Sequence, residues 1–404
     1  MTAQNHDGDT AILIVAAGRG LRAGGGIPKQ YQKLAGKPVL THAIDRFAAA
    51  LPGAPIQIVI HPDDIRLFED ARQASLHGDN LLPPVFGGST RQASVNTGLK
   101  VINQIILNIK FVLIHDVVRI LLSKTLIQDG LAHAREFGAA VPALAVADSL
   151  RRNTADGFSE PVERSGLLAV QTPQCFSFDL ICEAHERTVK AGLTDFSDDA
   201  SLIEWSGIRV KTFPGEAANF KLTTPEDFVT AEALLFASLA DIRTGYGYDV
   251  HAFCPGDHLW LGGVKTPHSR GLDGHSDADV GLHALTDAIL GAIADGDIGM
   301  HFPPSDAQWR GAPSRIFLQE AVRRVRALGG MIAHLDLTIV CEEPKVGPHR
   351  EAIRASIAEI AGLDLNRVAV KATTSEKLGF TGRREGIAAN ALATVRLPLQ
   401  SPEV

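Results

Sequence analysis

The sequence is short of sulfur and of large rings: 404 residues hold four cysteines, three methionines, three tryptophans and three tyrosines. Cys175, Cys182, Cys254 and Cys341 form no CxxC pair and no regular framework. That excludes a disulfide-stapled scaffold and a thiolate zinc ribbon, and it fits reduced thiols in a cytoplasmic protein. There is no uninterrupted apolar run of bilayer length. The most hydrophobic stretch, 101–122, is broken by Lys110, His115, Asp116 and Arg119, and reads as a helix end, a buried strand and a loop. Positive charge is not in excess either; a net charge of −7 argues against a general nucleic-acid binder. The opening "MTAQNHDGDT" is polar with two aspartates, and is read as a tail, not as a signal or transit peptide. Internal repeats and low-complexity tracts are absent.

What is present is globular: 45% apolar and 21% charged residues, over a length that suggests two domains. Up to about residue 237, short β-branched runs (11–16, 56–60, 111–114, 139–143, 208–213) alternate with amphipathic stretches (39–51, 63–74, 89–100, 124–136, 178–190, 225–239). This alternation predicts a doubly wound, Rossmann-like α/β domain with ligands beyond the carboxyl ends of its strands. The pattern then resets. Strands are predicted at 245–251, 331–341, 367–373 and 388–397, and helices at 279–294, 314–328 and 347–361, an α+β sandwich. The expected division is a tail at 1–10, a first domain at 11–237, a linker at 238–243 and a second domain at 244–404.

Behind the first strand comes "IVAAGRGLRAGGGIPKQY". It fits the loose dinucleotide fingerprint, but no acidic residue closes a second strand about twenty positions on, and no Gly-Lys-Ser/Thr makes it a Walker loop. Glycine backbone N–H groups can converge on an anion while Arg19, Arg22 and Lys29 add fixed positive charge, as phosphoryl chemistry needs. A solvated, flexible loop is the alternative from composition alone.

With "GGSTRQASV", "HDVVR", "ERSGLLAVQTPQ", "SDDASLIE" and "NFKLTTPEDF", this loop resembles the 2-C-methyl-D-erythritol 4-phosphate cytidylyltransferases over residues 11–237. The resemblance implies a nucleotidyltransferase that joins CTP to a polyol phosphate and releases diphosphate. It implies CTP contacts from Ala16, Ala17, Gly18, Gly20, Gly87, Gly88 and Ser94, with Asp116 near metal and acceptor. Arg22, Lys29 and Lys221 are implied as the catalytic cations at the α-phosphate, and Arg119, Ser149, Arg164 and Ser197 as acceptor-phosphate contacts. The chain departs from the family at "HDVVRI", where "HDAARP" is usual. An acceptor such as ribitol 5-phosphate, or a first domain that is only a scaffold, stays open on that account.

In the second domain, "YDVHAF" puts Asp249 and His251 on one face of a strand, and "GHSDADVGLHALTDA" adds His275, Asp277, Asp279, His283 and Asp287 around a helix start. Asp249, His251 and His283 could form a three-ligand metal site. Asp279 could equally serve the helix dipole and Asp287 orient the His283 ring, while Cys254 is read as a small hydrophobe. These motifs, with "EEPKVGPH" and "KATTSEKLGFTGRREGIA", resemble the 2-C-methyl-D-erythritol 2,4-cyclodiphosphate synthases over roughly 244–398. The resemblance implies Zn²⁺ on Asp249, His251 and His283 and a second divalent ion, Mg²⁺ or Mn²⁺, near Glu376. It also implies a catalytic Thr374 and substrate contacts from His275, Ser276, Asp297, Gly299, Lys345, Thr373, Ser375, Glu376, Phe380 and Arg383. "FPPSD" departs at Pro304, where aspartate is common. Together the two resemblances imply a bifunctional enzyme of non-mevalonate isoprenoid synthesis. They further imply a homo-oligomer with a trimeric synthase and a dimeric transferase domain, and no nucleic-acid or membrane partner.

Overall fold

In the computed structural model, residues 7–19, 26–78, 81–303 and 305–399 are described. They divide into two compact units, one to Ala233 and one from Leu234. Among them, no helix is long and apolar enough to cross a membrane.

The first unit is built on a strand that is apolar throughout, Thr10–Ala16, with Ala11, Ile12, Leu13 and Ile14 fully buried. A strand buried on both faces reads as a continuous apolar run and belongs inside a sheet. It pairs in parallel with Ile56–Ile60 on one side and Phe111–Asp116 on the other, and Ile56–Ile60 pairs in parallel with Val85–Phe86. Helices cover both faces. Leu13, Val59, Val112 and Ile114 pack with Val95, Leu99, Ile181 and Ile203 of three helices, Arg91–Ile105, Phe178–Lys190 and Asp199–Trp205. The other face meets Val39–Ala50 and Lys124–Phe137, where Phe47 packs edge-on against the His115 ring. The expected α/β architecture is present, but the sheet is mixed. Gln174–Ser177, not anticipated as a strand, inserts antiparallel between Phe111–Asp116 and Ala139–Ala145. Four residues behind Pro173 carry too little periodicity to announce a strand; burial between two neighbours supplies what local pattern lacks. Leu168–Val170 pairs antiparallel and Lys211–Pro214 in parallel with Ala139–Ala145, which makes eight strands, and residues 208–210 fall short of the expected strand. An exposed hairpin, Leu150–Asn153 with Ser159–Val162, stands apart from the sheet.

The second unit has a five-stranded sheet in the order Arg270–Leu272, Asp241–Pro255, Gly386–Leu397, Met331–Val340, Val368–Thr373. The segment 238–243 is a linker only in part. The preceding helix runs to Ser238, and Asp241 already opens the 15-residue strand by pairing with Leu397. "DIR" looks like polar linker locally; the facing strand recruits it. Alternation is clean on Met331–Val340, where Leu335, Leu337 and Ile339 are buried on the helix-covered face. Gly245 and Gly247 let helix Val280–Ala292 come close. A Cβ on either would meet the carbonyl oxygen of Ala288 at 2.1 Å or of Ala284 at 2.0 Å. The opposite face of the same strand exposes Ile242, Tyr246, Tyr248 and Val250.

Candidate active sites

At the carboxyl ends of the first unit's parallel strands lies a cleft of about 760 Å³. Of the residues singled out in the sequence, Ala16, Ala17, Gly18, Lys29, Gly88, Ser94, Asp116 and Lys221 line it. This is where a doubly wound sheet presents ligand sites. Arg22 and Gly20 lie outside the described residues. Gln30, buried, donates to the carbonyls of Ala16 (2.8 Å) and Gly18 (2.9 Å) and so holds the start of the glycine loop. Lys29 Nζ donates to the Leu222 carbonyl at 3.1 Å, beside Lys221. Gly87 has no room for a side chain, since a Cβ there would stand 2.4 Å from Ala17 Cβ and 2.7 Å from Ser94 Oγ. Ser94 is buried and supports the turn, accepting from Gly88 N at 3.2 Å and donating to the Thr90 carbonyl at 2.9 Å.

Arg91, not singled out in the sequence, organises the charges. It donates to Asp116 at 3.0 Å and to the buried Asp199 at 2.7 Å, while Lys221 reaches the other oxygen of Asp116 at 2.9 Å. Burial alone would raise the Asp116 carboxyl, but Arg91 and Lys221 overcome it and hold the group well below the usual carboxylate range. Among the described lining residues, Arg19, Lys29, Arg91 and Lys221 face one carboxylate, that of Asp116. Arg19 is itself paired with Asp63 and Asp64. Four cationic side chains gathered at one cleft suit a polyphosphate, whose oxygens can share their donors with the carboxylates already paired there. A signal for Arg91 was available: a cation in the first turn of a helix opposes the dipole, and so wants another reason to be there.

The acceptor-side candidates do not converge. Arg119 donates to the Asn219 carbonyl at 2.7 Å. Ser149, Arg164 and Ser197 are exposed and none of them lines the cleft. In "HDVVRI", Val117 and Val118 are 5% and 4% exposed and line the cleft floor beside Asp116, while Ile120 is in the core. The chain is pinned there by Val117 N to the Val15 carbonyl (3.3 Å) and Leu222 N to the Val118 carbonyl (2.9 Å).

In the second unit, Asp249 Oδ2 lies 3.0 Å from both His251 Nε2 and His283 Nδ1, and these two nitrogens are 3.2 Å apart. His251 Nδ1 donates to the Asp273 carbonyl at 2.6 Å, which leaves its Nε2 as a bare lone pair toward the cluster. Donor atoms around a tetrahedral ion with metal–ligand distances near 2.0–2.1 Å stand about 3.3 Å apart. The donor set and its spacing therefore fit a divalent metal, and these three residues form a candidate metal centre.

Other expected residues are placed as follows. Asp279 does cap its helix, accepting from Gly281 and Leu282 N–H as well as from Gly262 and Gly263. Asp287 accepts from Ile298 N at 2.8 Å and makes no hydrogen bond to His283, so it does not orient that ring. Asp297 caps the short helix Ile298–His301, which contains Gly299. His275 and Lys345 are exposed, and Arg383 is exposed and paired with Glu385. Thr374 Oγ1 donates to Glu376 at 2.7 Å, Ser375 bonds the Leu378 carbonyl at 2.8 Å, and Thr373 ends its strand. Phe380 is half-buried on the same loop, and Pro304 lies outside the described residues. His251 pairs with Ile387, while Ala388 pairs with Val340 and Val340 with Thr373. The metal cluster and the Thr373–Glu376 loop thus share one sheet end, three strands or about 14 Å apart.

Residues 10–237 match the family described as 2-C-methyl-D-erythritol 4-phosphate cytidylyltransferase, and residues 242–396 match the YgbB family. A "Bifunctional enzyme IspD/IspF" of Rhodopseudomonas palustris (strain BisB5) is 56% identical over 390 residues, covering 96% of each chain. One from Bradyrhizobium sp. (strain ORS 278) is 54% identical, covering 96% of this chain and 98% of that one. The solved "Structure of the Bifunctional IspDF from Campylobacter jejuni" is 30% identical over 96% of this chain and 98% of that one, with a TM-score of 0.45. By its two matched domains and its identity to such relatives over nearly the whole chain, the protein belongs to the bifunctional IspD/IspF family.

Proposed function

We propose that the first unit transfers the cytidylyl group of CTP to 2-C-methyl-D-erythritol 4-phosphate, releasing diphosphate. The second unit then acts on the 2-phosphorylated product of an intervening kinase, closing a 2,4-cyclodiphosphate and releasing CMP. The observation that carries this reading is the pairing, in one chain of this family, of a cation-rich cleft at the strand ends with an Asp–His–His cluster.

In the first reaction a phosphate oxygen of the acceptor attacks the α-phosphorus, and the bond to the bridging oxygen of diphosphate breaks. Ala16, Ala17, Gly18, Gly20, Gly87 and Gly88 bring backbone close to the nucleotide. Arg22, Lys29 and Lys221 meet the negative charge that spreads over the α-phosphoryl oxygens. Asp116, ionised in its pair with Arg91, suits a divalent ion such as Mg²⁺ travelling with CTP. Arg119, Ser149, Arg164 and Ser197 are proposed to meet the acceptor phosphate. Because the last three lie on exposed segments away from the cleft, their role is supported only if a second protomer or a loop movement completes the site.

In the second reaction the 2-phosphate oxygen attacks the β-phosphorus and CMP leaves. Asp249, His251 and His283 would hold Zn²⁺, which when bound polarises a phosphate oxygen as a Lewis acid. His275, Ser276, Asp297 and Gly299 orient the polyol phosphate. Thr374 and Glu376 sit at the diphosphate, Glu376 with a second Mg²⁺ or Mn²⁺. Lys345 meets the cytosine, Thr373 and Ser375 contact the substrate, and Phe380 and Arg383 line the far side of the substrate site. A 14 Å lateral gap and the exposed apolar face of Asp241–Pro255 support association through the second unit; the homo-oligomer proposed is a trimer there and a dimer through the first. A cytoplasmic setting is supported by four free thiols and the phosphorylated substrates.

Two assays on the full chain test the proposal. Diphosphate release from CTP is expected with methylerythritol phosphate; preference for ribitol 5-phosphate, or no turnover, would overturn the first assignment. CMP release from 2-phospho-CDP-methylerythritol is expected with stoichiometric zinc, and its absence would overturn the second.

A further inference from the structure

The ring of His283 touches polar groups on both sides. Nδ1 faces Asp249 and His251. Nε2 lies 2.8 Å from Ser314 Oγ and 3.0 Å from Ser276 Oγ. Ser314 is fully buried, and its hydroxyl is committed on its other side to Asp277 Oδ1. Which way the protons run follows from groups whose roles are not in doubt. Asp277 accepts from two backbone N–H groups, Ser314 N at 3.1 Å on Oδ2 and Asp279 N at 3.3 Å on Oδ1. Both of its oxygens are therefore acceptors, so the Ser314 hydroxyl donates to Asp277 and offers His283 only a lone pair. The proton on Nε2 then points at Ser314, and Nδ1 is left bare toward the cluster.

We propose that Ser314 and Asp277 are positioning residues for the metal centre. They select the His283 tautomer whose Nδ1 can bind a cation, and they lock the ring plane toward Asp249 and His251. The inference rests on the metal reading above and deepens it. It also places the device at the start of helix Arg315–Ala327, outside the metal motifs themselves. The Ser276 hydroxyl lies 3.3 Å from Ser314 Oγ, whose own proton goes to Asp277, so Ser276 donates there, and its oxygen receives Ala278 N at 3.2 Å.

The test is zinc affinity of the purified full chain, read by competition with a chromophoric chelator, with the visible spectrum of the cobalt(II) form as a geometric readout. Ser314→Ala is expected to weaken zinc 10–100-fold, the usual effect of losing an outer partner of a ligand histidine. Asp277→Asn should weaken it too, because the Ser314 N–H and hydroxyl go to different carboxylate oxygens, and the amide replaces one of these with an NH₂ donor. Ser314→Thr keeps the hydroxyl and should restore affinity to within about threefold. If Ser314→Ala binds zinc as tightly as wild type with an unchanged cobalt spectrum, the proposal is overturned. If Ser314→Thr is as weak as Ser314→Ala, the effect is packing and the proposal is likewise overturned. A wild-type chain that takes up no stoichiometric zinc defeats the metal reading first, and the relay with it.

Discussion

At the residue scale, Arg91 spans Asp116 in the cleft and Asp199 in the core, and its charge is what lets both carboxylates stay ionised against burial. Removing it as Arg91→Gln leaves Asp199, a carboxylate 1% exposed, to the His185 ring 3.6 Å away, and is expected to cost roughly 3–5 kcal/mol in chemical denaturation. The pH dependence has a definite sign. Both carboxyls lie below the unfolded value near 3.9, so their stabilisation is complete above it and is lost as pH falls through the lower folded values. Acid unfolding of the first unit should therefore move to higher pH in the variant; an unmoved transition would deny the network its role. Lys29→Ala should leave the fold intact and lower the CTP-dependent turnover number at least 100-fold. Lys29, Asp116 and Lys221 were legible in the sequence because each sits in a long motif. Arg91 and Gln30 lie in the same motifs, but their work is done on partners 12 to 108 positions away, which no local pattern reveals.

At the element scale, the candidate metal centre depends on a helix lying almost on a strand. Gly245 and Gly247 permit that approach, which brings His283 of the helix to Asp249 and His251 of the strand. Gly247→Ala must push a Cβ against the Ala284 carbonyl, so a loss of about 1–3 kcal/mol is expected, together with reduced zinc content. Differential scanning calorimetry and metal analysis on the same preparation check both. Unchanged zinc in a destabilised variant would separate packing from the site. Most elements were legible from periodicity. The strand Gln174–Ser177 and the helix Asp199–Trp205 were not, since each is short and is held by tertiary burial.

For the whole molecule, the cation-rich cleft and the Asp–His–His cluster lie in different compact units. Their chemistries should therefore be separable. His283→Ala is expected to abolish CMP release while leaving CTP-dependent diphosphate release at the wild-type rate, and Lys29→Ala should do the reverse. Assaying both reactions on each purified variant decides this; loss of both activities in either variant would mean the units are coupled. By itself the sequence determined the two-domain order, the α/β and α+β classes, the family, and the three candidate metal ligands, because glycine loops, strand periodicity and Asp-x-His spacing are local properties. Only the tertiary structure decided which of the motif residues meet. It set Arg91 between two carboxylates, turned Asp287 away from His283, and put Ser314 and Asp277 behind that ring. Those pairings join residues far apart in the chain, and burial fixes them by requiring each polar group taken out of water to find a partner.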